Sequence, residues 1–310
     1  MGKYILKRIG ISLITIFVLI TVVFMLLHLL PGGPFSMDPK ITPAVRARLE
    51  SYYGLDQPVI MQYGTYLMNL LHGDFGYSMR FVNRSVASIL GSSFPYSFDL
   101  GMRALVMAIS FGLVLGILSA THRGKKLDVF CVVIAIVGTS VPDFILGGIL
   151  QYGFGIQWGL LPIAKYKGFE YTILPMVTLG MGMLASIART MRSSMLEVVG
   201  QDYIKTAKAK GLSGVRITWK HQIRNAIMPI ITILGPTVAA VLTGTFVVES
   251  IFAIPGMGRY YVQSINANDY TLVMGTTLFY GILLVACNAI VDILYGVVDP
   301  RIRVDKKQED

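Results

Sequence analysis

The sequence predicts an all-α, polytopic membrane protein with six transmembrane helices. Of its 310 residues, 54% are hydrophobic and only 14% are charged, which is far from the balance of a soluble globular domain. The apolar residues fall into six long runs, and a helix rising about 1.5 Å per residue needs about 20 of them to cross a bilayer. Glycines spaced as Gly112-x-x-x-Gly116 lie inside the runs, as expected where helices approach each other closely.

The first predicted span, Ile9–Leu30, follows Lys3, Lys7 and Arg8. The apolar core of a cleaved signal peptide is only about 7–15 residues long and ends at a small-x-small cleavage site. This run is longer and ends in Leu-Leu-Pro-Gly-Gly, so we expect it to be retained as a transmembrane helix.

Five further spans are predicted, at Leu100–Ala120, Leu127–Gln151, Ile173–Met191, Ile227–Val248 and Thr271–Val298. They form a predicted core at residues 99–300, followed by a polar tail at 301–310. Six spans place both termini on one side of the membrane, where the loops and ends hold 18 of the 27 lysines and arginines, against 9 on the other side. Because positive charge is retained inside the cell, both termini are predicted to be cytosolic.

Residues 31–98 form a predicted extracytoplasmic segment between the first two spans. Thr42-Pro43 is a helix start that Gly54 can end, and Gln57-Pro58 starts a second helix that runs to about His72. Two interpretations are open. The segment either caps the helix bundle or serves as a lid or contact surface for an external substrate carrier.

The longest polar interruption in the second half of the chain is Gln201–Pro229, which overlaps a predicted cytosolic loop at 192–226. A short helix is predicted from Asp202 to Lys210, with Asp202 as its N-cap and lysines in its last turn, where cations suit the helix dipole. Gly211 then stands where a left-handed residue can end the helix.

A second helix is predicted after Ser213, which can cap it. Its apolar side chains recur every four residues, at Val215, Trp219, Ile223 and Ile227. Its cationic side chains recur in the same way on another face, at Arg216, Lys220 and Arg224. This pattern is typical of a basic amphipathic helix on an anionic inner leaflet, or of a docking site for another protein.

One carboxylate, Asp143, falls inside the third span, directly after Pro142, which predicts a kink. A charge at membrane depth costs on the order of 2.5–3.5 kcal/mol, so this one should face the bundle interior or water. Together with Thr139 and Ser140 it predicts a polar translocation pathway, in which it could meet a cationic group of a substrate. A structural carboxylate near the outer interface is the alternative.

Two other acidic residues lie at the ends of spans. Glu249 could pair with Arg259 at the outer rim or shape a gate in the translocation pathway. Asp292 stands about two turns from Arg301, which predicts an ion pair at the inner interface.

Motifs for catalysis and metal binding are missing from the sequence. It contains no G-x-x-x-x-G-K-[ST] motif for nucleotide phosphates, no H-E-x-x-H and no G-x-S-x-G. The four histidines are well separated, and the two cysteines lie inside apolar runs. We therefore predict no catalytic residue, no metal site and no disulfide, which disfavours a membrane-embedded enzyme.

Motifs follow one another along nearly the whole chain. They read KYILKRI, LLPGGPF, GDFGYS, SVPDFILGGIL, GLLPIA, VVESIFAIPGMGRYYVQSINANDY and VDILYGVVDPRIR. In this order and spacing they resemble the B-type permease subunit of oligopeptide and dipeptide ABC transporters, in the peptide/nickel branch. The loop sequence DYIKTAKAKGL is similar to that branch's form of the EAA-type loop. It lacks the Glu of the generic loop, and its spacing from Gly211 to Ala226 is longer.

The resemblance implies a type I ABC importer permease architecture in a prokaryotic cell membrane, with this chain as one half of a peptide pathway. It implies a heterodimer with a second, homologous permease, two cytosolic ATPases, an extracytoplasmic substrate-binding protein and contact with membrane lipid, but no nucleic acid. It implies no cofactor on this chain, since ATP and Mg bind to the ATPases. The residues it assigns to ATPase coupling are Asp202, Tyr203, Thr206, Ala207, Lys210 and Gly211.

The resemblance favours oligopeptides as substrate, although dipeptides, glutathione and nickel chelates cross the same scaffold. Asp143 stands where the family usually has Ser or another small residue, which makes it a candidate for substrate tuning. From another functional class, an ion-coupled secondary carrier or channel acting without ATPases stays open. The few intramembrane carboxylates and the lack of a visible inverted repeat argue against it.

Overall fold

A computed structural model describes residues 2–29, 33–35, 43–81, 83–243 and 246–298. Within these residues the regular structure is helical, and the one pair of bridged backbones, Tyr77 with Ser85, is isolated. The all-α class that the composition predicted is therefore confirmed for the described part of the chain.

Six α-helices lie in the described residues of the first half of the chain. They are α1 (Gly2–Leu29), α2 (Pro43–Tyr52), α3 (Val59–Leu71), α4 (Val86–Thr121), α5 (Lys126–Ser140) and α6 (Asp143–Leu150). A π-helical turn, Gln151–Gln157, continues α6. Helices α2 and α3 agree with the two helix starts predicted for the outer segment, and Gly54 ends the α2 region at a φ of +68°, which glycine adopts without strain.

The second half begins with the long α7 (Glu170–Val199). The remaining helices are α8 (Asp202–Ala209), α9 (Gly214–Ile217), α10 (Arg224–Ala226), α11 (Met228–Thr243), α12 (Phe246–Ile251), α13 (Met257–Asn266) and α14 (Tyr270–Val298). A π-helical segment, Thr218–Ile223, joins α9 to α10.

Four of the described helices are long and apolar enough to cross a membrane. They cover Leu6–Leu29, Val86–Thr121, Glu170–Val199 and Tyr270–Ile290. The second starts well before the predicted Leu100, because the chain stays helical through Pro95, where a break could have occurred. The predicted span Ile227–Val248 is divided between α11 and α12, whose junction lies outside the described residues, so the count of six stays a prediction.

The predicted span Leu127–Gln151 is not one straight helix. Its two parts, Lys126–Ser140 and Asp143–Gln157, meet at an angle of 112°. The break has a local cause: Pro142 has no backbone N–H to donate, and its ring forces the preceding Val141 into extended geometry, with φ −90° and ψ 118°. The kink predicted at Pro142 is present as a complete break.

The chain divides into two compact units, of which the first holds residues 1–96 and 256–289. A core cluster of this unit consists of Val86, Ile89, Leu90, Met257 and Leu272. Asp269 is fully buried in the same unit. Its carboxylate accepts hydrogen bonds from the Ser78 hydroxyl and from the backbone N–H groups of Met79 (3.1 Å), Arg80 (3.2 Å) and Leu272 (3.1 Å). This carboxylate fastens the turn before α4 to the first turn of α14.

The second unit holds residues 97–255 and 290–310, and α7 runs through its core. Gly116 of α4 packs so tightly against α7 that a Cβ added there would lie 2.6 Å from the Cβ of Met191. Gly112 and Gly138 approach α7 almost as closely, at 2.9 Å from Ile187 and Met181. The prediction that spaced glycines permit close helix packing is confirmed here.

Candidate functional site

The polar loop after α7 starts with α8, which is separated from α7 by two residues. Asp202 was predicted as the N-cap of this helix, and that prediction is wrong. Gln201 holds the cap position, with the extended φ of −74° and ψ of 149°, because Gly200 ends α7 directly before it. Asp202 is the first helical residue, and its negative charge there interacts favourably with the helix dipole. Its carboxylate also accepts a hydrogen bond of 2.8 Å from Lys205 Nζ.

The end of α8 agrees with the prediction. Lys210 is the C-cap, and Gly211 follows with a φ of +72°. The N–H of Leu212 donates to the carbonyl of Ala207 at 3.3 Å, which satisfies a carbonyl that the helix end leaves free. A Cβ at Gly211 would meet no atom within 4 Å. Glycine is therefore favoured here by the left-handed backbone conformation, and not by a lack of space for a side chain.

The α8 helix is held by a small apolar core of its own. Ile204, Ala207 and Ile217 are buried together, with Leu212 and Val198 packed against them. Ala207 of the predicted coupling set therefore faces into the loop, while Tyr203, Thr206 and Lys210 remain exposed. The exposed residues can contact a partner directly, whereas Ala207 positions the helix that carries them.

The apolar face predicted for the second helix is wrong at its start. Val215 and Trp219 are 71% and 68% exposed, and the buried side chains are instead Ile217, Gln222 and Ala226. The π-helical segment explains the difference, since its wider turn brings residues five apart onto one face. An exposed Trp and Val thus stand on the surface of the loop.

An open pocket of about 460 Å³ lies between the two parts of the loop. Its lining residues are Tyr203, Thr206, Ala207, Lys210, Leu212, Arg216, Lys220 and His221. Four of the six residues predicted for ATPase coupling meet in this lining, whereas Asp202 and Gly211 shape α8 without lining the pocket. Three cations beside an aromatic ring suit an acidic or carbonyl-rich element of another protein.

A buried ion pair connects the start of this loop to the membrane helices. Arg192, about two turns before the end of α7, donates to the Asp128 carboxylate at 2.9 and 3.0 Å. The Ser119 hydroxyl and the Gly124 N–H also donate to this carboxylate, at 2.5 and 2.9 Å. The pair, with the Ser119 hydroxyl, joins α4, α5 and α7 on the side of the polar loop. The sequence analysis missed it, although an acidic residue two positions after the basic turn at Lys125-Lys126 was a possible signal.

The far end of the loop is also fixed to α7. Ala226 and Ile230 are buried in one cluster with Met191 and Met195 of α7. Both ends of the loop are therefore attached to the same long helix, and a force on α8 acts on α7 directly.

The residues predicted to form a translocation pathway fall into two groups. Thr139, Ser140 and Asp143 lie together around the break between α5 and α6, and all three are exposed. Glu249 is instead fully buried, and its carboxylate accepts a hydrogen bond of 2.6 Å from the Ser97 hydroxyl. This burial favours a structural role for Glu249.

Two other predictions remain without a structural test. Arg301, the predicted partner of Asp292, lies outside the described residues, so this ion pair stays a prediction. In the part of the chain that the structure describes, no three His, Cys, Asp or Glu side chains gather as metal ligands do. The absence of a metal, a cofactor and a catalytic residue from this chain remains an expectation.

Family models match nearly the whole chain. Residues 112–304 match the inner membrane component of binding-protein-dependent transport systems, and residues 1–107 match the N-terminal part of such a membrane component. The chain belongs to this family. The two matches together include α2 and α3, the broken span and the polar loop.

Curated relatives place the chain more narrowly within the binding-protein-dependent transport family. It is 47% identical to the dipeptide transport system permease protein DppB of Bacillus subtilis (strain 168), with 99% of this chain and 100% of the relative covered. It is 42% identical to the oligopeptide transport system permease protein OppB of Haemophilus influenzae and 39% identical to that of Escherichia coli (strain K12), each with 98% of this chain and 100% of the relative covered. The resemblance to peptide ABC transporter permeases is confirmed.

A solved structure supports the fold. One chain of an amino acid ABC transporter crystallised with histidines matches with a TM-score of 0.54 at 15% identity, over 67% of this chain and 93% of that chain. At that identity the likeness concerns the helical fold alone. With the apolar helices and the family match, it makes the chain a multi-pass membrane protein.

Proposed function

We propose that the chain is the permease subunit of an ATP-driven importer of peptides, with oligopeptides as its main substrates and dipeptides as the competing class. The observation that carries this proposal is its similarity over its full length to permeases of both kinds. Glutathione and nickel chelates are less well supported, because the curated relatives named above belong to dipeptide and oligopeptide systems.

The energy for transport comes from partner ATPases, which bind ATP and Mg. The pocket on the polar loop, with Tyr203, Thr206 and Lys210 at its edge, receives a surface element of one ATPase. Closure of the ATPases on ATP moves α8, and the connection of α8 to α7 passes this motion to the membrane helices.

In the complete transporter this chain forms a heterodimer with a second, similar permease. Two ATPases and an extracytoplasmic binding protein bind to this heterodimer. Both termini are cytosolic in this assembly, and the outer segment with α2 and α3 faces the binding protein. The excess of lysine and arginine on the side of the polar loop supports this orientation.

The pathway for peptides passes the break between α5 and α6. Thr139, Ser140 and Asp143 are exposed there in the single chain, which is expected of polar groups that line water in the assembly. Asp143 faces a cationic group of the peptide.

The experiment is to tag the chain, extract it in mild detergent, identify the proteins that remain bound, and reconstitute the complex with labelled peptides. We expect a second permease and two ATPases to remain bound, and peptide uptake to require ATP. Competition between peptides of two to eight residues then ranks the substrate lengths. Uptake by the chain alone, driven by a proton or sodium gradient without ATP, would instead establish a secondary carrier.

A further inference from the structure

Two arginines lie one turn apart on α7 and have different partners. Arg192 is neutralised by the buried Asp128 carboxylate. Arg189 is exposed, and among the residues that the structure describes no carboxylate lies within 4 Å of it. Its recorded contact is with the Thr139 hydroxyl, at 3.4 Å from the guanidinium. Arg192 thus stabilises the helix bundle, whereas the charge of Arg189 is available to bind an anionic group.

In the proposed orientation the guanidinium of Arg189 lies well inside the bilayer. Its partner Thr139 stands 13 residues after Lys126, which is about 20 Å along α5 from the cytosolic start of that helix. Helical side chains tilt toward the N-terminus of their helix, and for α7 this direction leads away from the cytosol. The side chain therefore extends toward the bilayer centre and not back to the cytosolic surface.

A charge at this depth cannot face lipid without a large cost, so the exposed side of Arg189 must meet water or protein. The polar groups beside it have the same requirement. Thr139, Ser140 and Asp143 are all exposed at the break between α5 and α6. A cation and a carboxylate thus stand on one polar stretch of the bundle, without forming an ion pair with each other.

We propose that Arg189 binds the carboxylate of the peptide during translocation. The proposal rests on the proposed function as a peptide permease and assigns one residue of its pathway. A peptide carries a carboxylate at its C-terminus, and the planar guanidinium can donate two parallel hydrogen bonds to that group. The contact with Thr139 places the guanidinium beside the break between α5 and α6, where the proposed pathway runs.

The test compares two labelled peptides of one sequence, one with a free C-terminal carboxylate and one with a C-terminal amide. Uptake is measured in vesicles that hold the complete transporter with its ATPases and binding protein. For each peptide the rate of a variant is divided by the rate of the wild type, so that the preference of the binding protein cancels.

Arg189→Gln is expected to lower uptake of the free peptide by about tenfold or more and of the amidated peptide by less than twofold, as for loss of a hydrogen bond to a charged group. Arg189→Lys keeps the charge and is expected to keep most of the uptake of the free peptide. Thr139→Val, which removes the hydroxyl contact, is expected to lower uptake of the free peptide by two- to threefold.

The outcomes separate the two proposals. If the wild-type complex takes up neither peptide on addition of ATP, the proposed function fails. If the wild type transports but Arg189→Gln slows both peptides equally, or neither, the inference about Arg189 is wrong, since the residue then has only a structural role. Recovery of the partner subunits with each variant checks assembly, and the Lys variant provides the comparison if the Gln variant does not assemble.

Discussion

The Arg192 guanidinium and the Asp128 carboxylate form a two-point ion pair, with nitrogen to oxygen distances of 2.9 and 3.0 Å. The side chain of Asp128 is 8% exposed and that of Arg192 is 31% exposed. The pair joins α5 to the last turns of α7, two turns before the polar loop begins. It is thus placed to transmit motion of the loop to the membrane helices.

Removing one partner of this pair should destabilise the chain. Arg192→Ala leaves a nearly buried carboxylate without its main donor, and we expect a loss of about 3 kcal/mol in the free energy of unfolding. Thermal unfolding in detergent measures it. The matched control is Arg46→Ala, which breaks the more exposed pair of Arg46 with Glu50 and should cost less than about 1 kcal/mol. Equal effects of both variants would contradict the assigned role.

Gly211 should be required for its backbone conformation. Gly211→Val places a β-branched residue at a φ of +72°, so α8 should end differently and ATP hydrolysis should proceed without transport. Gly211→Asn is the matched control, because Asn tolerates the left-handed region and a Cβ there meets no atom within 4 Å. The measurement is peptides transported per ATP hydrolysed. A wild-type ratio for the Val variant would contradict the prediction.

Trp219 should report on the partner of the loop. It is 68% exposed, so binding of an ATPase should bury it and shift its fluorescence to shorter wavelength. The sequence contains two tryptophans, so Trp158→Phe leaves Trp219 as the single signal. A shift on addition of the ATPases to the chain in detergent supports docking. A shift on addition of anionic lipid, with none on addition of the ATPases, would favour a helix on the membrane surface.

The stability of the chain should depend on the negative charge of Asp269. Asp269→Asn replaces an acceptor oxygen by a donor that faces N–H and O–H donors, and we expect a loss of about 2–3 kcal/mol in the free energy of unfolding. Faster proteolysis within the segment 43–81 should accompany it. Asp56→Asn changes an exposed residue of the same segment and is expected to have little effect. An unchanged unfolding midpoint for Asp269→Asn would be evidence that this carboxylate does not fasten the turn before α4 to α14.

Local patterns were predicted well where one stretch of chain decides them. The left-handed Gly211 and the helices that start at Pro43 and after Gln57-Pro58 each depend on a few neighbouring residues. One prediction failed where the local helix departs from α-helical geometry. The apolar face at Val215 and Trp219 was wrong because a π-helical turn shifts the helix register, and periodicity alone cannot reveal such a turn.

By itself the sequence determined the membrane class, the resemblance to peptide permeases and the position of the polar loop, because composition and motif order do not depend on packing. Only the tertiary structure joined Asp128 to Arg192, buried Asp269 under the turn at Ser78, and brought Arg189 to Thr139. These pairs are separated by 50 or more residues along the chain. Their partners are set by how the helices pack, and the spacing of residues along the sequence carries no information about such contacts.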